Sequence, residues 1–229
     1  MIFLMMLLGI LPGLIWVFFY LQEDPHPEPK HLLLLTFTVG GLMAVPVIIL
    51  QLLTEDALDF FDIKTTALVS IVALAMIEEF FKFIAAFWIT DKNPEFNEPI
   101  DAMIYTVTAA LGFATIENIL IIGKIFHPEP GSAVLLTTAF SATALRFVGA
   151  TLLHALASGL TGYYWAVGIL KKSLLKNIGY GLLLAGLIHA IFNYLIIKSP
   201  SANFIFPGLF LILSAIFVLV NFEKLRKMV

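Results

Sequence analysis

The chain alternates long apolar runs with short polar breaks. The runs fall at about 1–21, 32–53, 66–90, 100–123, 134–170, 178–197 and 202–221. A helix needs ~20 apolar residues to cross a bilayer, so each run predicts a span. The break Gln22–Lys30 (QEDPHPEPK) holds three prolines and cannot cross a membrane as a helix. Thr54–Lys64 is acidic, Asp91–Pro99 and His127–Gly131 read as polar turns, and Lys171–Lys176 (KKSLLK) is basic. The run 134–170 is too long for one ordinary span. It predicts either a short interfacial or re-entrant helix followed by a span from about 148, or one long tilted helix. Pro46 is placed to kink the second span. The expected fold is an all-α polytopic membrane protein of seven or eight transmembrane helices, forming a single domain over 1–229. Continuous rather than alternating runs exclude a transmembrane barrel.

Composition supports this picture. The chain has 229 residues, 60% of them hydrophobic and 13% charged, against about 25% charged in soluble domains. A soluble fold of this size has too little interior for that apolar surface. A net charge of −3 gives no footprint for a nucleic-acid partner. The absence of cysteine removes disulfides, thiolate zinc sites and a cysteine nucleophile. The apolar stretch from Met1 to Tyr20 lacks a basic n-region and reads as a retained first span. Basic residues favour the cytoplasmic side. Lys171, Lys172 and Lys176 are separated by two spans from Lys224, Arg226 and Lys227, so both clusters are expected inside. That makes the C-terminus cytoplasmic and puts the N-terminus and the loops at 54–65 and 124–133 outside.

A charged side chain at mid-bilayer costs at least ~2.5–3.5 kcal/mol, so each one needs a reason. The polar residues concentrate on four runs: Glu78, Glu79 and Lys82; Glu117 and Asn118, with Asp101 at the inner end; Arg146 and His154; His189 and Asn193. At 1.5 Å per residue, Glu117 and His154 lie ~9 Å from the outer ends of their spans, His189 ~12 Å and Glu78 ~18 Å. All four then fall between the outer interface and the midplane, where they can converge in a cavity open to the outside. Glu78/Lys82, Phe113/Glu117, His154/Ser158 and His189/Asn193 are i,i+4 pairs on shared faces. Glu78 and Glu79 point ~100° apart and cannot have identical roles. Bland roles are expected for some residues: Arg146 at the interface or snorkelling, Asp101 at the start of its helix, Asn193 as interhelical glue. Ala155/Gly159 and Ser158/Gly162 are spaced for close helix packing.

Carboxylates and imidazoles in a membrane suit proton-coupled transport or hydrolysis. A third possibility is a non-catalytic scaffold or membrane chaperone that binds a partner helix. No internal repeat supports transport. Among hydrolytic signatures, HExxH and GxGD are missing, and Leu156-Ala-Ser-Gly159 lacks the first glycine of GxSG, which leaves a Ser158–His dyad without support.

Four segments resemble the motifs of one family in order and spacing. Glu78-Glu79-Phe-Phe-Lys82 resembles the E-E-x-x-K motif of the PrsW family of intramembrane proteases, and Phe113-Ala-Thr-Ile-Glu117-Asn118 resembles its F-x3-E-N motif. Arg146 followed by His154 is similar to the third pattern, and His189-Ala-Ile-Phe-Asn193 to the fourth, H-x3-D or H-x3-N. Asp24 with Glu28-Pro29 is similar to the acidic first loop of the family. Asn193 stands where the family often has Asp. The resemblance implies a bacterial plasma-membrane protease with the core of the CAAX-protease superfamily. The implied substrate is a single-span membrane protein such as an anti-sigma factor, cut near the extracytoplasmic face, with membrane lipid around the enzyme. It implies Glu78 as the base that activates water, and Glu79, Lys82 and Glu117 as the groups that position it. His154, His189 and Asn193 are implied to hold water or oxyanion, with Phe113, Asn118, Arg146 and Ser158 in support. No cofactor is expected. The alternative is zinc on His154, His189 and Glu78.

Overall fold

The computed structural model describes residues 2–24, 26–126, 133–199 and 204–228. Among these residues there are nine α-helices and no strand. They are α1 (Ile2–Tyr20), α2 (Lys30–Leu42), α3 (Ala44–Phe60), α4 (Leu68–Thr90), α5 (Asp101–Phe126), α6 (Ala133–Arg146), α7 (Leu152–Leu170), α8 (Leu174–Lys198) and α9 (Ile205–Arg226). Six runs are long and apolar enough to cross a membrane: Ile2–Glu23, Lys30–Phe60, Asp101–Ile125, Leu135–Leu170, Leu174–Lys198 and Ile205–Arg226. Helix α4 also has the length, since its 23 residues span about 34 Å. Its three charges, Glu78, Glu79 and Lys82, set it apart from those six. The protein is an all-α integral membrane protein.

Helix α5 is the axis. Its residues from Asp101 to Ala114 are almost wholly buried, and α1, α2, α4 and α7 pack around it. Glycines set how closely. A Cβ on Gly40 would stand 2.1 Å from the Ala109 carbonyl oxygen, and one on Gly112 would stand 1.9 Å from that of Phe37, so α2 and α5 cross with backbones touching. On the other side, a Cβ on Gly162 would meet Thr106 Oγ1 at 2.3 Å and the Ala102 oxygen at 2.5 Å. The small-residue spacing on α7 therefore serves close packing, as expected.

Three boundaries differ from the sequence pattern for identifiable reasons. The second run breaks at Met43, between α2 and α3. Pro46 has no N–H to offer the Leu42 carbonyl four residues earlier, and its ring crowds that oxygen. The acidic break Thr54–Lys64 is helical as far as Phe60, because Thr54, Glu55, Asp56 and Asp59 carry no helix breaker among them. The basic break shortens to Lys171–Ser173, with α8 starting at Leu174. The break at His127–Gly131 lies outside the described residues.

The long fifth run is one helical path with a widened turn. α6 passes into a five-residue π segment, Phe147–Thr151, and then into α7. A π turn frees a backbone carbonyl from the helical ladder. Here the Phe147 oxygen accepts the Trp16 indole N–H at 2.8 Å, and the two rings stack at 5.4 Å. At the far end of the bundle, Glu28 accepts a hydrogen bond from the Tyr105 hydroxyl. Asp101 accepts the backbone N–H groups of Asn97 and Glu98, each at 2.8 Å. Asp101 thus stands at the start of its helix, as expected, but it ties down the preceding loop. His26–Glu98 (2.8 Å) joins this loop to the first one, and Arg226–Glu23 (3.7 Å) brings the end of α9 beside the end of α1.

Candidate active site

Helix α4 carries its charges midway along, where α5, α7 and α8 enclose them. Lys82 is fully buried. Its ammonium donates to Glu79 Oε1 at 2.6 Å and to His154 Nδ1 at 2.8 Å, and lies 5.1 Å above the Phe113 ring. Glu79 also accepts from His189 Nδ1 at 2.7 Å on Oε1 and from the Ser158 hydroxyl at 3.0 Å on Oε2. A carboxylate with three donors from three helices is a structural hub. It fixes the His189 tautomer, because the proton on Nδ1 leaves Nε2 as a lone pair.

Glu117 on α5 forms the second half. Its Oε2 accepts from Arg146 Nη2 at 3.0 Å and from His154 Nε2 at 2.9 Å. Arg146 Nε also donates to Asn118 Oδ1, and the Asn118 amide donates to Thr151 Oγ1 at 3.1 Å. The π segment makes this convergence possible. Eight residues of regular helix leave Arg146 and His154 about 80° apart, whereas absorbing one residue in the wide turn brings them to within about 20°. Arg146 therefore does not snorkel to the interface; it clamps Glu117. The Lys82 ammonium on Nδ1 leaves Nε2 of His154 as the protonated nitrogen that donates to Glu117.

Glu78 differs from Glu79 in what it lacks. Its Oε1 accepts one hydrogen bond, from Gln51 Nε2 at 2.9 Å. Its Oε2 is buried without a partner, 3.6 Å from His189 Nε2 and 3.8 Å from Lys82 Nζ. An unpartnered carboxylate oxygen facing an imidazole lone pair is of the type that takes a proton from water. Among the described residues, Glu78, His154 and His189 also form a group with one ligand atom each, all within 4.8 Å of one another. Two imidazoles and a carboxylate suit zinc by donor type. Both His154 nitrogens, however, already bond Lys82 and Glu117, and an ammonium stands where the extra cation would add its charge. As arranged, the residues do not fit a metal without releasing His154.

The structure thus brings Glu78, Glu79, Lys82, Phe113, Glu117, Asn118, Arg146, His154, Ser158 and His189 into one network. Asn193 stands apart, with no hydrogen bond to that network among the described residues. It is half-buried and lines an apolar cleft of about 420 Å³ between the π segment, α8 and α9. The pattern missed Gln51 and Thr151. Gln51 had a signal, being the one carboxamide within an otherwise apolar run. Its reach to Glu78 depends on the break at Met43, which sets α3 against α4.

A family model described as PrsW family intramembrane metalloprotease matches residues 28–221. The chain is similar to the protein called Protease PrsW of Oceanobacillus iheyensis, 28% identical over 94% of this chain and 93% of that protein. It is similar to the Protease PrsW of Geobacillus kaustophilus, 27% identical over 89% and 84% of the two chains. A shorter match, 35% identical over 51% of this chain and 49% of the relative, is to the Protease PrsW of Clostridioides difficile. No solved structure matches the chain.

Proposed function

Because this chain belongs to the PrsW family of intramembrane proteases, we propose that it hydrolyses a peptide bond with Glu78 as the general base. The observation that carries this reading is the contrast between neighbours. Glu79 has three donors and is held in place, whereas Glu78 has a free, buried oxygen beside His189. In the proposed step, water sits between Glu78 Oε2 and His189 Nε2. Glu78 takes a proton as the water oxygen bonds the carbonyl carbon. The carbonyl electrons move onto oxygen, where N–H donors of Arg146 and Asn193 meet the charge. Glu78 then passes the proton to the amide nitrogen as the C–N bond breaks. Glu79, Lys82, Ser158 and Glu117 act as positioning groups.

The reading is metal-independent because His154 is engaged at both nitrogens. The zinc reading has in its favour the grouping of Glu78, His154 and His189, and it requires Lys82 or Glu117 to let go. Metal analysis of the purified protein separates the two: we expect substoichiometric zinc and cleavage that survives chelators.

The proposed substrate is a single-span membrane protein of the anti-sigma-factor type, cut near the extracytoplasmic face of a bacterial plasma membrane. Exposed basic residues at Lys171, Lys172 and Lys176, and at Lys224, Arg226 and Lys227, support a cytoplasmic C-terminus. The test compares N-termini of membrane proteins in cells carrying wild type or Glu78→Gln at equal abundance. N-termini specific to wild type, within or beside membrane spans, are expected. Identical sets overturn the reading in favour of a scaffold.

A further inference from the structure

The cleft beside the network is lined by apolar groups except for two, Arg146 and Asn193. Leu145, Gly149, Phe192 and Gly208 are among its walls. Arg146 belongs to both places, since it lines the cleft and its guanidinium holds Glu117. Asn193 follows His189 by one turn on α8. The cleft therefore borders the acidic cluster through Arg146.

A peptide bond must leave its helix before water can attack it, because helical backbone groups are already paired. Unwinding in an apolar setting leaves N–H and C=O groups without partners, which costs several kcal/mol each. Arg146 has N–H groups beyond the two that bond Glu117 and Asn118, and Asn193 offers both a donor and an acceptor. A lipid chain needs neither. The volume is within the ~300–1,000 Å³ usual for binding pockets. Lipid is as apolar as this cleft, so selection inside it rests on packing fit rather than on the hydrophobic effect.

We propose that this cleft is the specificity subsite of the protease: it seats large apolar side chains next to the scissile bond, while Arg146 and Asn193 hold the unwound backbone. This inference rests on the proteolytic reading above. Gly208 is part of the wall of the subsite. A Cβ there meets nothing within 4 Å, so a larger side chain at this position enters the cleft without disturbing α9.

The test profiles membrane-protein N-termini in cells expressing wild type, Gly208→Ala, Gly208→Phe, Gly179→Phe or Glu78→Gln. Gly179 is the control: it is exposed on α8, its Cβ also meets nothing within 4 Å, and it does not line the cleft. Gly208→Phe is expected to lower cleavage beside Leu, Ile or Phe roughly tenfold or more, the scale of misfit in an apolar pocket. Cleavage beside Gly, Ala or Ser is retained, Gly208→Ala falls between, and Gly179→Phe matches wild type. Equal thermal stability of the variants shows that folding is intact. An unchanged residue preference in Gly208→Phe overturns the subsite, as does loss of a bound lipid on native mass spectrometry with cleavage unaltered. Failure of the protease reading looks different: wild type and Glu78→Gln then give the same N-termini.

Discussion

Replacing Lys82 with Met removes the one ammonium from a group of three carboxylates, two of them buried. At an effective dielectric of ~20, its gross attraction to Glu79 at 2.6 Å is about 6 kcal/mol. Desolvation of both ions offsets much of that. What remains visible on truncation is the cost of leaving Glu79 buried and short of a partner, ~3–5 kcal/mol. Glu79→Gln removes the same charge from the other side, so Lys82→Met and Glu79→Gln should not add. The double variant is expected to be more stable than the sum of the singles predicts, by ~2 kcal/mol. The assay is reversible unfolding of the purified proteins in mixed micelles, with four proteins completing the cycle. The single Lys82→Met variant should also lose cleavage, because His154 loses the donor on Nδ1. Additivity within ~0.5 kcal/mol, or a Lys82→Met cost below ~1 kcal/mol, refutes the account of Lys82 as the counter-ion of Glu79.

Other predictions concern the clamp, the packing and the loops. Arg146→Lys cannot span Glu117 and Asn118 together, and should lose one charge-assisted bond, ~1.5–3 kcal/mol, with cleavage reduced; unchanged stability and rate would count against the clamp. Gly162→Val should prevent accumulation of folded protein, since its Cβ meets backbone at 2.5 Å and the cost exceeds the ~1–3 kcal/mol of ordinary overpacking. Burial, with Asp101 and Glu98 nearby, raises the Asp24 carboxyl to about 6; burial, opposed by the Tyr105 hydroxyl and reinforced by Asp101 and Asp24, raises that of Glu28 to about 8. The folded state therefore binds these protons more tightly, so the stabilisation is complete below the ordinary carboxylate pKa and is lost as pH rises through about 6 and then about 8. Thermal midpoints followed by tryptophan fluorescence should fall from pH 5 to pH 9, and Glu28→Gln should flatten the upper part of that fall.

Much of the site was legible because charge in an apolar run is costly enough to need a reason. Glu78, Glu79, Lys82, Glu117, His154 and His189 stood out on that ground alone, and their shared depth foretold one cluster. Asn118 and Arg146 stood out among the same polar residues, and i,i+4 spacing added Phe113 and Ser158. What stayed hidden depended on backbone geometry without a compositional mark. The π turn at Phe147–Thr151 converts Arg146 from an interface residue into a clamp, and nothing in FVGAT announces it. The tie between Trp16 and the Phe147 carbonyl is a consequence of that turn. Gln51 needed the Pro46 break to reach Glu78. Asn193 shares a helical face with His189, yet one turn carries it out of the network and into the cleft wall. The division of labour between Glu78 and Glu79 needed the count of donors on each oxygen, which spacing alone does not give.

The central claim is that Glu78, and not its neighbour, takes the proton from water. The most direct measurement is the cleavage rate per folded molecule for Glu78→Gln and Glu79→Gln, each in liposomes with a substrate found from the N-terminal comparison, alongside the unfolding midpoint of each variant. The account predicts that Glu78→Gln keeps the wild-type midpoint within a few degrees and cleaves nothing, while Glu79→Gln melts clearly lower. Cleavage by Glu78→Gln at a rate near wild type, with its fold intact, would contradict it.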